Sequence, residues 1–271
     1  MSILNIGDIV TRKSYGQDIY FTVADIQNKD SAKPIYVLRG LFYRIIVDAY
    51  GDDLIKKDPR NAHMNLRMDL TIARSNAYRG MPFSRCLLFG KPRQKPGKVL
   101  HIDSSESYLK MCKNLYRESG ITSKEYLAAE SEQPNIIRRA LMESKPDILV
   151  VTGHDSLKKG SNPNSIDSYR NSKYFIECVK EARKYQPDYD KLCIFAGACQ
   201  SYFEAIMQAG ANFASSPGRI NINALDPAIV SEKVALTSKE NYVTPEEISK
   251  LTVSGREGIG GIKTRGHLTV V

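Results

Sequence analysis

Two segments of this chain end in side chains able to do covalent chemistry. "DILVVTGHDS" delivers His154, and "KLCIFAGACQS" delivers Cys199; each follows an apolar run and a small residue that lets the backbone turn sharply. A thiolate attacking a carbonyl needs a proton acceptor, and later a proton donor for the leaving amine, so a cysteine and a histidine at one edge would suit acyl transfer. Ser201 and Glu204 have the S-x-x-E spacing of a capping box, which would put Cys199 just before a helix start. A helix amino end and an imidazole each lower a thiol pKa from about 8.5 towards roughly 3.5–7.5. Cys193, inside the apolar run, reads instead as a small packed hydrophobe.

Other groups could complete such a site. Asp155, or Asp103 at the end of "VLHID", could orient the imidazole or face a basic substrate group. Backbone N–H groups at Cys199 and around Gly153 could form an oxyanion hole. Ser215 and Ser216, in "SSPGR", form either a turn or part of the substrate cleft. His63, His101 and His267 are weaker candidates. No metal is expected, because His154, Asp155 and Cys199 alone are a poor zinc set. "GREGIGG" neither follows a strand nor opens a helix, so a phosphate loop is not expected and no cofactor is called for.

The elements that must hold these residues follow from the patterning after Val99. "KVLHID", "DILVVTG", "KLCIFAG" and "NFASSPG" are apolar runs of strand length. Between and after them, "SSESYLKMCKNLYRESG", "NIIRRALMESKP", "NSKYFIECVKEARKY", "SYFEAIMQAG" and "ALDPAIVSEKVALTS" carry apolar residues at helical spacing. Strands alternating with crossover helices imply an α/β domain, a doubly wound, mainly parallel sheet with helices on both faces. In such sheets reactive groups gather at the carboxyl ends of strands. The glycine-rich tail, "LTVSGREGIGGIKTRGHLTVV", has no assignable element.

Before Val99 the chain reads differently. Residues 1–55 are dense in Ile, Val, Tyr and Phe with turn breakers at Ser14–Gly16, Asn28–Asp30 and Gly40, which suggests a small SH3-like β-barrel. Residues 56–98 carry eleven Lys and Arg against two acids, so the net charge of +9 has its source in this one connector, which closes on "GKPRQKPGK". Residues 99–271 would form the catalytic domain. A solvated connector is one reading of the basic segment; a surface for acidic protein, membrane or nucleic acid is the other. A non-catalytic nucleic-acid or scaffold-binding protein is therefore the alternative function, although the segment lacks a recognisable RNA- or zinc-finger pattern. The hydrophobic fraction of 42% is that of a soluble chain, no apolar run has membrane-spanning length, and the start lacks a secretory signal, so an intracellular protein is expected. Five scattered cysteines without CxxC spacing read as reduced thiols.

The order "apolar strand, His, crossover helix, apolar strand, Ala-Cys" resembles the caspase and clostripain-like cysteine peptidases. Those enzymes usually have Gly after the histidine, whereas here Gly153 precedes it and Asp155 follows. Over nearly the full length, "IGDIVTRKSYGQDIYF", "DILVVTGHDS" and "CIFAGACQSYFEAIMQAGANFASSPGRININALDP" resemble the YabG family of sporulation peptidases. That resemblance implies an intracellular cysteine endopeptidase of sporulating cells, with Cys199 as nucleophile and His154 as its partner. It further implies protein substrates from the spore coat and its morphogenetic proteins, cut after basic residues, chiefly arginine. Such specificity needs a buried carboxylate for the guanidinium, and Asp155, Asp103, Glu204 and Asp226 are the choices. It would also make Arg60, Arg67, Arg74, Arg79, Arg85 and Arg93 of the connector candidates for self-cleavage.

Overall fold

The computed structural model describes residues 4–29, 31, 33–62, 64, 71, 75 and 94–270. His63, Cys86 and five connector arginines (Arg67, Arg74, Arg79, Arg85, Arg93) lie outside the described residues, so the expectations attached to them find no structural counterpart.

The amino-terminal strands β1 (Ile9–Arg12), β2 (Phe21–Gln27), β3 (Ile35–Gly40), β4 (Ile46–Tyr50) and β5 (Leu54–Lys56) form one antiparallel sheet in the order β4-β3-β2-β1-β5. β2 alternates buried Phe21 and Val23 with more exposed neighbours, the period-2 pattern of a half-buried strand. β3 and β4 make a hairpin whose tip, Leu41–Ile45, projects beyond the last pair, Arg39 with Ile46. β6 (Gln94–Lys95) pairs with β15 (Thr269–Val270) near the carboxyl end.

The second sheet is built from β7 (Val99–Asp103), β8 (Ser123–Leu127), β9 (Ile148–Val151), β10 (Cys193–Ala196), β11 (Phe213–Ser215) and β13 (Ile259–Gly261). Its order is β13-β11-β10-β9-β7-β8; all pairs are parallel except β11 with β13. β12 (Tyr242–Val243) and β14 (Thr264–Arg265) pair separately. The intervening helices are α1 (Glu106–Glu118), α2 (Gln133–Ser144), α3 (Ser172–Tyr185), α4 (Phe203–Gln208), α5 (Asp226–Leu236), α6 (Pro245–Leu251) and the single turn α7 (Gly255–Gly258).

Alternate strand residues feed two cores. Val99, Ile148, Val150, Cys193 and Phe195 pack with α1, α5 and the amino-terminal sheet, while Leu100, Ile102, Leu149, Val151, Ile194 and Ala196 pack with α2, α3 and α4. Both faces are covered, as the apolar runs require. The mixed, mostly parallel sheet flanked by helices agrees with the α/β class expected from the patterning. β8 and the tail strand β13 escaped that patterning: "SKEYL" is half exposed on an outer strand, and β13 is mostly glycine. Cys193 is buried and packs, as its position in the strand suggested.

Chain order reverses between β7 and β9, since the chain passes from β7 outward to β8 and then returns to β9 on the other side. In open α/β sheets ligands bind at such a switch point, outside the carboxyl ends of the strands. Among the described residues no helix is long and apolar enough to cross a membrane.

Candidate active site

Val151 and Ala196 are paired across β9 and β10, and His154 and Cys199 each stand three residues beyond that pair. The two segments therefore leave neighbouring strands at the same edge. Gly197 makes the turn after β10 with φ of 110°, a left-handed backbone that favours glycine, and a Cβ there would come within 3.1 Å of the Ser215 side chain.

The Cys199 sulfur is fully buried, accepting from the Ile222 N–H at 3.0 Å and facing the Ile222 carbonyl at 3.7 Å. Burial pushes its thiol pKa far up, only partly offset by the Ile222 N–H and the Arg44 charge. The thiol pKa is not lowered as the sequence suggested, because another part of the chain covers the sulfur. Nor does an S-x-x-E cap place it at a helix start: α4 begins at Phe203, its N-cap is Tyr202 with no side-chain capping bond, and the Ser201 hydroxyl accepts from the Ala198 N–H and donates to Asp155. Glu204 stays outside, in an ion pair with Arg219.

His154 is also buried, and its surroundings are polar on one side. Its backbone N–H donates to Glu130 Oε1 at 2.7 Å, and its Nδ1 lies 3.5 Å from that oxygen and 3.1 Å from the Ser104 hydroxyl, which itself donates to Glu130 at 2.5 Å. Burial works to raise the Glu130 pKa, yet hydrogen bonding and attraction from His154, with help from Ser104, hold it below the usual carboxylate range. The Tyr108 ring packs against the imidazole at 5.5 Å between centroids. Gly153 has its own reason to be glycine: a Cβ would sit 2.5 Å from Glu130 Oε1. No hydrogen bond joins the Cys199 sulfur to the His154 ring among the described residues.

The cover over Cys199 is the β3–β4 hairpin tip. Phe42–Arg44 runs antiparallel to residues 222–224: Arg44 N–H donates to the Ile222 carbonyl at 3.1 Å and Ala224 N–H to the Phe42 carbonyl at 3.0 Å. On the other side Ile45 bridges Asp155. The Arg44 carbonyl accepts two N–H groups, from Cys199 and from Asp155, each at 3.2 Å.

The Arg44 side chain is wholly buried in a polar pocket. One terminal nitrogen bonds the Asp103 carboxylate and the Thr152 hydroxyl (3.1 Å), and the other donates to the Ala224 carbonyl at 2.7 Å. Burial alone would raise the Asp103 pKa, but the adjacent guanidinium outweighs it and holds the carboxyl well below its usual range. Thr152 donates to Asp103 at 2.7 Å, and His101 braces this group through 3.1 Å contacts to Thr152 and Tyr116. Burial lowers the His101 pKa, which keeps its ring neutral, with one N–H for Thr152 and one acceptor for the Tyr116 hydroxyl.

Of the carboxylates nominated from sequence, Asp103 alone meets a guanidinium in the interior. Asp155 turns its side chain towards Ser172, Ser201 and the N–H groups of Asn171 and Ser156, away from the imidazole; burial raises its pKa to about 6 against those bonds. Asp226 caps the N–H groups of Val253 and Ser254 and is likewise raised to about 6 by burial. Ser216 holds Gln200 N–H at 3.1 Å beside the cysteine, while Ser215 is buried on β11 behind it.

Glu130, Ser104, Tyr108 and Arg44 were not nominated from sequence. The strand-end rule would have reached Glu130 had β8 been recognised. Arg44 had one signal, a lone charge inside the apolar run "LFYRIIV". Beyond the tip, a cleft of about 480 Å³ opens beside Ile45, Ser156, Leu157, Gln200 and Asn221. Among the described residues no three His, Cys, Asp or Glu gather as a metal-ligand set.

Comparison with known proteins bears on what such an arrangement is for. Residues 5–271 match the family model described as YabG peptidase U57. The chain is 38% identical over 282 residues to the sporulation-specific protease YabG of Bacillus subtilis (strain 168), covering 98% of this chain and 96% of that one. No solved structure matches.

Proposed function

The chain belongs to the YabG peptidase U57 family, and we propose that this sporulation protease is a cysteine endopeptidase cutting spore coat and morphogenetic proteins after arginine. The observation that carries the reading is the treatment of Arg44: one carbonyl oxygen receives the N–H groups of both Cys199 and Asp155 while the guanidinium of the same residue rests on Asp103. A substrate arginine seated in this way would have its carbonyl polarised next to the thiol.

In that reading the Cys199 sulfur, its proton passed to His154, attacks the carbonyl carbon and forms a C–S bond. The tetrahedral oxyanion draws on the Cys199 and Asp155 N–H groups, a contribution of about 10²–10³ in rate for one such donor. The C–N bond then breaks, the leaving amine takes the proton from His154, and water activated by the same imidazole hydrolyses the thioester. Glu130, bonded to the His154 backbone N–H and 3.5 Å from Nδ1, holds the ring in place. Asp103 with Thr152 and the Ala224 carbonyl provides the arginine pocket; a lysine would carry one compact charge there and could not span all three acceptors.

Purified enzyme incubated with a coat-protein substrate tests the reading. Cys199→Ala and His154→Ala should each lower the cleavage rate by about 10³-fold or more, with cut sites in the wild-type digest falling after arginine. Undiminished cutting by Cys199→Ala would overturn it.

A further inference from the structure

The hairpin tip raises a question the peptidase reading leaves open, since a site filled by its own chain is closed to substrate. We infer that Leu41–Ile45 is a built-in inhibitor: Arg44 occupies the arginine pocket and the oxyanion donors, and a substrate enters only when the tip withdraws. The inference rests on the peptidase reading for its meaning and on geometry for its content.

Every recognition element proposed for substrate is taken by the tip. The backbone of residues 42–44 satisfies the edge at Ile222 and Ala224, the Arg44 carbonyl takes the Cys199 and Asp155 N–H groups, and the guanidinium fills the Asp103 pocket. The Cys199 sulfur is left with zero exposure and His154 with 2%. The cleft that stays open beside the tip, next to Ile45, contains neither Cys199 nor His154 in its lining.

The tip is held from both ends, which separates an inhibitor from a passing substrate. Gly40 N–H donates to the Ile45 carbonyl at 2.9 Å, Arg39 pairs with Ile46, and Leu41 N–H reaches the Tyr20 carbonyl at 2.9 Å. Tyr108, from α1 of the α/β unit, clamps it from above by donating to the carbonyls of Gly40 and Tyr43. An occupant tethered in this way competes at a high effective concentration, so a free substrate is bound more weakly in proportion to the fraction of time the tip is away.

The test compares wild type, Arg44→Ala and Tyr108→Phe as full chains, with folding checked by circular dichroism. One readout is the rate at which iodoacetamide alkylates Cys199, mapped by mass; the other is kcat/KM for a small arginyl amide. Arg44→Ala empties the pocket and should raise both by about 10–100-fold. Tyr108→Phe keeps the ring beside His154 but loses the clamp, and should raise both to a smaller degree; it carries the test if Arg44→Ala does not fold. Folded variants with unchanged or lower alkylation overturn the inference while Cys199-dependent hydrolysis keeps the peptidase reading intact. Faster alkylation without any arginyl hydrolysis supports the occupied cleft and removes the peptidase reading instead.

Discussion

Asp103, at the carboxyl end of a parallel strand, and Arg44, at the tip of a hairpin from the other sheet, form an ion pair from which solvent is wholly excluded. Two buried charges are costly to desolvate, and the pair persists because Thr152, the Ser105 N–H and the Ala224 carbonyl supply further hydrogen bonds. Removing one partner strands the other. Asp103→Asn should therefore cost about 3–5 kcal/mol in urea unfolding, and should also narrow the preference for arginyl over uncharged substrates. A variant as stable as wild type would show that the pair is not the internal anchor described.

Arginine and lysine substrates should be separated by the same pocket. Three acceptors arranged around one guanidinium favour arginine, so kcat/KM for an arginyl amide should exceed that for the lysyl analogue by about 10–100-fold, the span of one or two charge-assisted hydrogen bonds. Equal rates would mean that the acceptors do not read the substrate.

Glu130→Gln keeps an oxygen for the His154 N–H but removes the negative charge near Nδ1. The expected outcome is a fall in kcat of about 10²-fold with KM nearly unchanged, in the range that general acid–base catalysis supplies. A rise in KM at constant kcat would assign Glu130 to substrate binding.

Gly153→Ala approaches the same contact from the backbone. The added Cβ would lie 2.5 Å from Glu130 Oε1 and 2.9 Å from its carboxyl carbon, so the carboxylate must shift from the imidazole. Activity should fall with that of Glu130→Gln, with an overpacking cost of about 1–3 kcal/mol in unfolding experiments.

Asp226 gives a pH signature. Burial raises its folded pKa from 3.8 to about 6, so between these values the folded state binds more protons than the unfolded one and stability falls as pH rises. The shift corresponds to about 3 kcal/mol, fully present below pH 3.8 and lost by the time pH passes 6. Asp155, raised to about 6 as well, contributes in the same window, so urea unfolding at both ends should show a fall in wild type that is smaller by about 3 kcal/mol in Asp226→Asn; parallel pH profiles would refute it.

The α/β alternation, both strand-end residues and the packing role of Cys193 were legible in sequence because each depends on local periodicity. Apolar runs of strand length and helical faces such as Tyr108, Leu109, Cys112 and Leu115 carry their own signal. β8 and β13 were not legible, since an outer strand and a glycine strand lack the apolar pattern from which strands are recognised.

Sequence alone thus determined the alternating apolar strands and helices of the α/β unit and that a thiol and an imidazole each end a strand. Only the tertiary structure decided what surrounds them: Glu130 beside His154, Asp103 beside Arg44, and a hairpin from 155 residues earlier lying on Cys199. The physical reason is range. Strand and helix formation answer to neighbours a few residues away, whereas the burial and partners of a charged or nucleophilic group are set by segments that meet only when both sheets pack into one core.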